Sequence, residues 1–435
     1  MADSTPSRPS FAEAFRFWLK LGLISFGGPT GQIAIMHEEL VEKKKWISEE
    51  RFLHALNYCM LLPGPEAQQL AIYTGWLLHR TWGGIVAGAL FVLPSAMLLF
   101  LLSWLYMAGQ DVEWIGAIFH GLKPAVLAVV AVAVLRIGAK VLKNGVMWGI
   151  AALAFVAIFF LKAPFPLIVA LAALTGWLGG KFRRDKFLVI PAGGGATAAA
   201  DLAADAGHLQ PSWGRALRVV FTCLALWWLP VLGLGLWLGW DETHAQEGLY
   251  FSKAAMVTFG GAYAVLPYVA QQAVERYGWL STPQMIDGLG MAETTPGPLI
   301  MVLQFVGFVA GWQHAPAGWS PLASAALGAL VTTWVTFLPC FLWIFLGAPY
   351  IERLRGNESV ASALSAVTAA VVGVVLNLAV WFAVHALFPA GGSLDLFVAI
   401  ATVIAFWLMQ WRKWQMIPVV GVCAAAGLAY RLLAA

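Results

Sequence analysis

Phe26-Gly27-Gly28-Pro29 and Pro63-Gly64-Pro65-Glu66 lie inside apolar stretches, and both have a second copy further along the chain. Phe259-Gly260-Gly261 repeats the first and Pro296-Gly297-Pro298 the second, with Trp46 and Trp279 matched between them, all at one offset of 233 residues. No gap interrupts the correspondence over about forty residues. These are helix-breaking words. In lipid, a break leaves backbone groups unpaired unless they line a cavity or bind something. Two matched sets of breaks predict a membrane protein with its site between internal repeats, the organisation of secondary transporters.

The rest of the composition agrees. Of the 435 residues 60% are hydrophobic and only 11% charged, where soluble domains carry about 25% charged residues. An all-α polytopic membrane protein is predicted. Polar Met1 to Ser10 precedes the first apolar stretch without a small-residue cleavage site, so no cleaved signal peptide is expected. The net charge of +4 lies mostly in loops and speaks of orientation in the bilayer, not of nucleic-acid binding. Cys59, Cys223, Cys340 and Cys423 stand singly in apolar segments, with no CxxC pair and no zinc spacing. Packing is their expected role, and no cofactor or metal is called for. The 22 tryptophans suit interfacial belts.

Thirteen apolar elements can be counted. Six lie near 11–35, 53–78, 82–107, 113–136, 146–161 and 164–180; a seventh at 216–240; six more at 250–274, 286–311, 321–347, 360–387, 394–411 and 414–433. Several could be broken or re-entrant. Residues 1–180 form the first repeat and 250–435 the second. Between them, 181–249 carries a basic cluster at Lys181 to Lys186, a Gly/Ala-rich linker at Pro191 to Gln210 and one extra crossing. Six elements, one crossing and six elements give the two repeats opposite orientation.

Charge supports this order. With the N-terminus in the cytoplasm, the inner loops hold Arg80, Arg136, Lys140, Lys143, the Lys181 to Lys186 cluster, Arg215, Arg218, Arg276, Arg353, Arg355, Arg412 and Lys413. The outer loops hold Asp111, Glu113, Asp241, Glu242, Glu247 and Asp395. One loop disagrees with the positive-inside rule: Lys43, Lys44, Lys45 and Arg51 fall outside. Were the first two elements re-entrant, that loop would be cytoplasmic and later parity unchanged. Beyond the gapless stretch the repeat drifts. Pro94 matches Pro339 at an offset of 245, the extra twelve residues falling near Gln313 to Ser320, and Leu122 to Val134 resembles Leu364 to Leu376 at 242.

Gly27-Gly28-Pro29 reads as a helix stop followed by a start, and each Pro-Gly-Pro reads the same way. A helix start exposes amide N–H groups and about +0.5 charge, which suits an anion. Four converging starts would supply about +2, enough to balance a dianion. Kinks or close helix packing are the plainer reading of any one motif. Lys123, in Gly-Leu-Lys-Pro, is a candidate fixed cation, or else it snorkels to the outer interface. Its counterpart is Ser365. Glu66 and Glu293 each neighbour a break. A carboxyl buried there resists ionisation, so each is a candidate proton carrier, or each accepts hydrogen bonds from a nearby helix start. They are not equivalent, since Glu66 aligns with Leu299 and Glu293 with Met60. Gln68, Gln69 and Gln304 are neutral donors on the same helices. The expected substrate-binding set is Gly27, Gly28, Pro63, Gly64, Pro65, Gln69, Lys123, Gly260, Gly261, Pro296, Gly297, Pro298 and Gln304.

These residues resemble a known family. Phe-Gly-Gly-Pro at 26–29, Leu-Pro-Gly-Pro-Glu-Ala-x-Gln at 62–69, Ile-Tyr-x-Gly-Trp-Leu at 72–77, Phe-Gly-Gly-Ala-Tyr-Ala-Val-Leu at 259–266, Val-Ala-Gln-Gln at 269–272 and Glu-Thr-Thr-Pro-Gly-Pro-Leu at 293–299 are similar to the chromate ion transporters, in their long two-domain form. The resemblance covers most of the chain except the linker around 187–214. It implies export of chromate across the bacterial inner membrane and resistance to it. Sulfate is a tetrahedral dianion of similar size, so a general sulfate or oxyanion transporter is the alternative. No P-loop is present to bring ATP. An intramembrane enzyme is disfavoured, because His37-Glu38-Glu39 lacks the second histidine of a zinc motif. The expected partners are chromate, sulfate as a rival, and the lipid bilayer; a homodimer is left open.

Overall fold

The computed structural model describes residues 9–26, 28–109, 112–189, 212–259, 262–350, 358–389 and 392–434. Gly27, Gly260 and Gly261 lie outside the described residues, as do Asp111, Arg353, Arg355 and the linker Pro191 to Gln210. The protein is an all-α polytopic membrane protein, and no strand occurs among the described residues. The first copy comprises α1 (Phe11–Ile24), α2 (Gly28–His37), α3 (Glu49–Cys59), α4 (Glu66–Ala108), α5 (Glu113–Val141), α6 (Gly145–Phe159) and α7 (Phe165–Phe182). Helix α8 (Trp213–Trp237) connects it to α9 (Thr243–Met256), α10 (Ala262–Gln271), α11 (Thr282–Thr294), α12 (Val302–Gln313), α13 (Pro321–Gly347), α14 (Glu358–Leu387), α15 (Leu396–Gln410) and α16 (Met416–Ala434). Among the described residues, seven helices are long and apolar enough to cross a membrane: α4, α5, α7, α8, α13, α14 and α16.

Four of the apolar elements are not single helices. Each is a pair of short helices with a break between, and each pair turns back on itself. Helix α1 has 14 residues, about 21 Å of rise, against an apolar core of about 30 Å. After the break at Ser25–Phe26 the chain returns through α2 and a π-turn, Glu38–Lys43. It comes back to where it began: Lys44 Nζ stands 3.6 Å from Glu13 Oε1, and the Trp46 ring packs 5.3 Å from Phe17. The next excursion, through α3, the Pro63-Gly64-Pro65 turn and the first arm of α4, also returns. His79, at the sharp bend inside α4, packs edge-on against Phe11 at 5.5 Å. The basic loop at 43–45 therefore shares a side with the start of α1 and with Arg80. Its charges are also matched locally, since Lys43 pairs with Glu38 at 2.8 Å and with Glu39 at 3.1 Å.

The second copy repeats this detail for detail. A π-turn at Gln272–Arg276 follows α10. Trp279 stacks on Phe251 and packs edge-on to Tyr250, as Trp46 packs edge-on to Phe17. The Trp46 amide donates to Leu40 O, and the Trp279 amide to Ala273 O, at 2.9 and 2.8 Å. At the far end of the hairpins, the turn between α12 and α13 takes the place of the bend in α4, and the residues gained by the second copy fall there. Arg276 accordingly shares a side with the start of α9, which corrects its expected place among the inner loops: the α9–α10 element folds back.

The copies interlock. Helix α5 of the first packs chiefly against α15 and α16 of the second, and α14 of the second chiefly against α6 and α7 of the first. The core runs through this interface, with Val126, Val130, Val371, Val374 and Val375 all buried within one continuous cluster.

Candidate functional site

The two Pro-Gly-Pro turns and the two helix breaks meet, and they meet across copies. The Gly64 amide donates to Thr258 O, and the Gly297 amide to Ser25 O, both at 2.7 Å. Ser25 and Thr258 occupy equivalent places, each the last turn before a break. Their hydroxyls donate four residues back, to Leu21 O and Ala254 O, at 2.6 and 2.7 Å, which satisfies carbonyls that the broken helices would leave bare. The ring closes through packing: the 3₁₀ turn Leu299–Met301 lies against α10, and α2 against α4.

Glycine is required at both turns. Gly64 has φ +120° and Gly297 φ +103°, angles that L side chains rarely adopt. Space is closed as well. A Cβ on Gly64 would stand 2.8 Å from Cys340 Sγ and 2.9 Å from Gln69 Nε2, and one on Gly297 would strike the Ser95 side chain. Cys340 and Ser95 each follow the matched prolines Pro339 and Pro94. Each turn is thus clasped by a break and a long helix of the other copy. Gly28, at φ +68°, has open space around it.

The helix starts after the turns, at Glu66 and Leu299, have proline N-caps and no side-chain cap. Many other starts are capped by side chains, including those after Ser10, Ser48, Asn144, Ser281, Ser320 and Asp395. The turns therefore present amides without a side-chain partner, as an anion site demands. Pro63 is half-buried, Pro65, Pro296 and Pro298 are buried, and Glu66 is partly exposed in the first turn of α4. Gln69 donates to Pro63 O and Gln304 to Ala96 O, each at 2.8 Å. These amides brace the backbone, and Gln69 Nε2 also donates to Cys340 Sγ at 3.8 Å.

Glu293 is buried and accepts from the Tyr263 hydroxyl. Lys123 is half-buried. Its charge acts on both Asp287 and Asp395, so two carboxylates already answer it. Asp287 is buried and accepts from the Tyr106 hydroxyl at 3.0 Å. Asp395 caps α15 and pairs with His120 Nε2 at 2.8 Å. Burial works against its charge, yet the Val398 amide and the His120 ring hold its carboxyl below the ordinary value.

Sequence reasoning passed over Ser25, Thr258, Ser95, Cys340, Gln32 and Asp287. A signal existed for the first four, which flank repeated words at constant offsets. Gln32 had none, because its counterpart is Val265. It is fully buried, and its Nε2 donates to Gly297 O at 2.5 Å and reaches Ser25 O at 3.3 Å, bridging one of the two crossings. Gln32→Leu would leave the Gly297 carbonyl without that donor, at a cost of about 1–3 kcal/mol. A lower thermal midpoint of the purified protein is expected, together with slower transport. An unchanged midpoint and rate would show that the bridge contributes nothing.

Two interlocked sets of hairpins and crossing helices, meeting at uncapped helix starts, define a multi-pass membrane protein with a central polar crossing. The chain belongs to the chromate transporter family, whose family model, described as "Chromate transporter", matches residues 12–177 and 246–428. It is 33% identical over 377 residues to a chromate transport protein of Pseudomonas aeruginosa, covering 86% of this chain and 81% of that one. It is 28% identical over 413 residues to a chromate transport protein of Cupriavidus metallidurans, covering 93% and 91%. A probable chromate transport protein of Synechococcus elongatus is 27% identical over 374 residues, covering 85% and 84%. No solved structure matches the chain. These are transport proteins by name, which points away from enzymatic activity.

Proposed function

We propose that this protein exports chromate across the bacterial inner membrane, through a site where the four hairpin tips meet. In this reading the N-terminus is cytoplasmic, the first-copy hairpins enter from inside and the second-copy hairpins from outside. Lys43 to Lys45 then fall on the cytoplasmic side with Arg80, in keeping with the positive-inside rule. The observation that carries the proposal is the pair of crossings, Gly64 on Thr258 and Gly297 on Ser25. They set each uncapped helix start beside a break of the opposite copy, and helix starts of about +0.5 charge each suit a dianion. Gly27, Gly28, Gly260, Gly261, Pro63, Pro65, Pro296 and Pro298 shape the cradle. Gln69 and Gln304 brace it. Lys123 is the counter-ion of Asp287 and Asp395, so the positive potential of the cradle comes from the helix starts.

Membrane potential is sufficient to drive export. A dianion leaving an inside-negative cell gains about 4.6 kcal/mol at 100 mV. Proton exchange through Glu66 or Glu293 would add to this. The test is chromate flux in proteoliposomes of the purified protein, with potential and pH gradient imposed separately. Flux following potential alone is expected. Flux that ignores potential would overturn electrogenic dianion movement. Sulfate carried as fast as chromate would favour the broader oxyanion carrier, since backbone amides read charge and shape more than the central atom.

A further inference from the structure

A buried ionisable cluster lies away from the crossings. His244, on the first turn of α9, Glu247, one turn further along the same face, and Ser324, on the first turn of α13, are all fully buried. His244 Nδ1 stands 3.3 Å from Glu247 Oε2, and His244 Nε2 is 2.9 Å from Ser324 Oγ. The other carboxyl oxygen, Oε1, is buried without a hydrogen-bond partner. The neighbouring elements bring little charge. Helix α8 has no ionisable residue from 224 to 237, α12 has none, α13 has only Cys340, and α10 only Tyr263 and Tyr268. On its own helix there are Tyr250 and Lys253; Asp241, Glu242 and His314 lie in the adjoining turns. The Trp319 ring faces His244 at 6.2 Å.

Packing alone does not call for these groups. The first copy makes the same contact without them. Phe11 stands where His244 does and Ala14 where Glu247 does, at the offset of 233; His79 stands where Ser324 does, at 245. There Phe11 packs edge-on to His79 and Ala14 is buried, so the first helix carries no ionisable residue at these two positions. The first copy therefore makes this contact with an aromatic ring and a methyl group in place of His244 and Glu247. The second copy instead buries an acid and a base, which is costly unless they share a proton. With none, the pair carries −1 in an apolar site. With one, it is neutral overall, as an ion pair or as two uncharged groups.

Its position links it to both second-copy elements that enter the crossings. Helix α9 runs from this pair to the Thr258 carbonyl that holds Gly64. Glu247 also packs beneath Gly328, where a Cβ would stand 3.1 Å from Oε2, and Gly328 is where α13 lies closest to Gly307 of α12. Helix α12 continues from the second Pro-Gly-Pro turn.

We infer that His244 and Glu247 form a proton-binding site whose occupancy sets the transport rate. The inference rests on the proposed carrier function, and in its topology the pair lies toward the outer side, from which protons run inward. Two readouts separate the two claims. In infrared difference spectra of the full-length purified protein, titrated across about pH 5–8, a protonated-carboxyl band is expected that disappears in Glu247→Gln. This readout needs no chromate. In proteoliposomes at clamped potential, chromate flux should vary with pH in the wild type and be flat in Glu247→Gln. Ser324→Ala removes the hydrogen bond to His244 but keeps both titrating groups, so it should displace the pH midpoint without abolishing it, and it serves if Glu247→Gln does not fold. A spectrum unchanged by Glu247→Gln, or an identical flux profile in wild type, Glu247→Gln and Ser324→Ala, would overturn the inference. Absence of flux in the wild type would count against the carrier reading alone, and the infrared arm would still decide the proton site.

Discussion

Gly297→Leu and Gly64→Leu are expected to abolish transport in a protein that still folds. Both positions combine a left-handed backbone with a closed space. A non-glycine residue at φ +103° or +120° carries about 1–3 kcal/mol of strain, and its Cβ would meet Ser95 or Cys340 at van der Waals overlap. The turn can relieve this only by withdrawing from the opposite break, which forfeits the Ser25 or Thr258 hydrogen bond. Losses near 3 kcal/mol correspond to a rate reduction of about 100-fold. The helices themselves lie elsewhere, so far-UV circular dichroism and gel-filtration behaviour should be retained. Gly28→Asn provides the contrast. Its φ is +68° but nothing crowds it, and asparagine tolerates that region. It should fold without the strain of Gly297→Asn and lose less flux. Normal flux in both leucine variants would remove the crossings from the mechanism.

The second large effect concerns the two copies as units. Severing the chain within 191–210 should leave two fragments that transport nothing alone and regain transport when co-expressed. Each copy holds a long helix whose main partners belong to the other: α5 lies on α15 and α16, α14 on α6 and α7. A fragment alone would expose these apolar faces, and its turn would have no break to bond. Co-purification of the two fragments through a tag on one is the check. A first-copy fragment that purifies as a stable, monodisperse species would contradict the interlocked arrangement.

Much of this was legible in the residues. The constant offset of 233 pointed to equivalent breaks and turns, and the structure makes equivalent hydrogen bonds at them. Hydropathy placed the long helices because lipid demands apolar length. What remained hidden was of another kind. A repeat read along the chain places the site between the copies but does not say which turn meets which break, and only tertiary packing reveals that. Hydropathy also could not tell α1 and α2 folding back from a single crossing, since both are equally apolar; the contacts of Glu13 with Lys44 and Phe17 with Trp46 decide it. Lys123 read as a lone cation because Asp287 and Asp395 are distant in sequence. Glu247 read as part of an acidic outer loop, and the structure buries it against His244.

The central claim is that the four tips form the anion site. A cryo-electron microscopy map of the protein frozen with saturating chromate tests it most directly. The account predicts tetrahedral density among the Gly64–Thr258 and Gly297–Ser25 crossings, within hydrogen-bond reach of the amides that open α4 and the turn before α12, and lost in Gly297→Leu. Chromate density bound elsewhere, with these crossings closed around side chains alone, would contradict it.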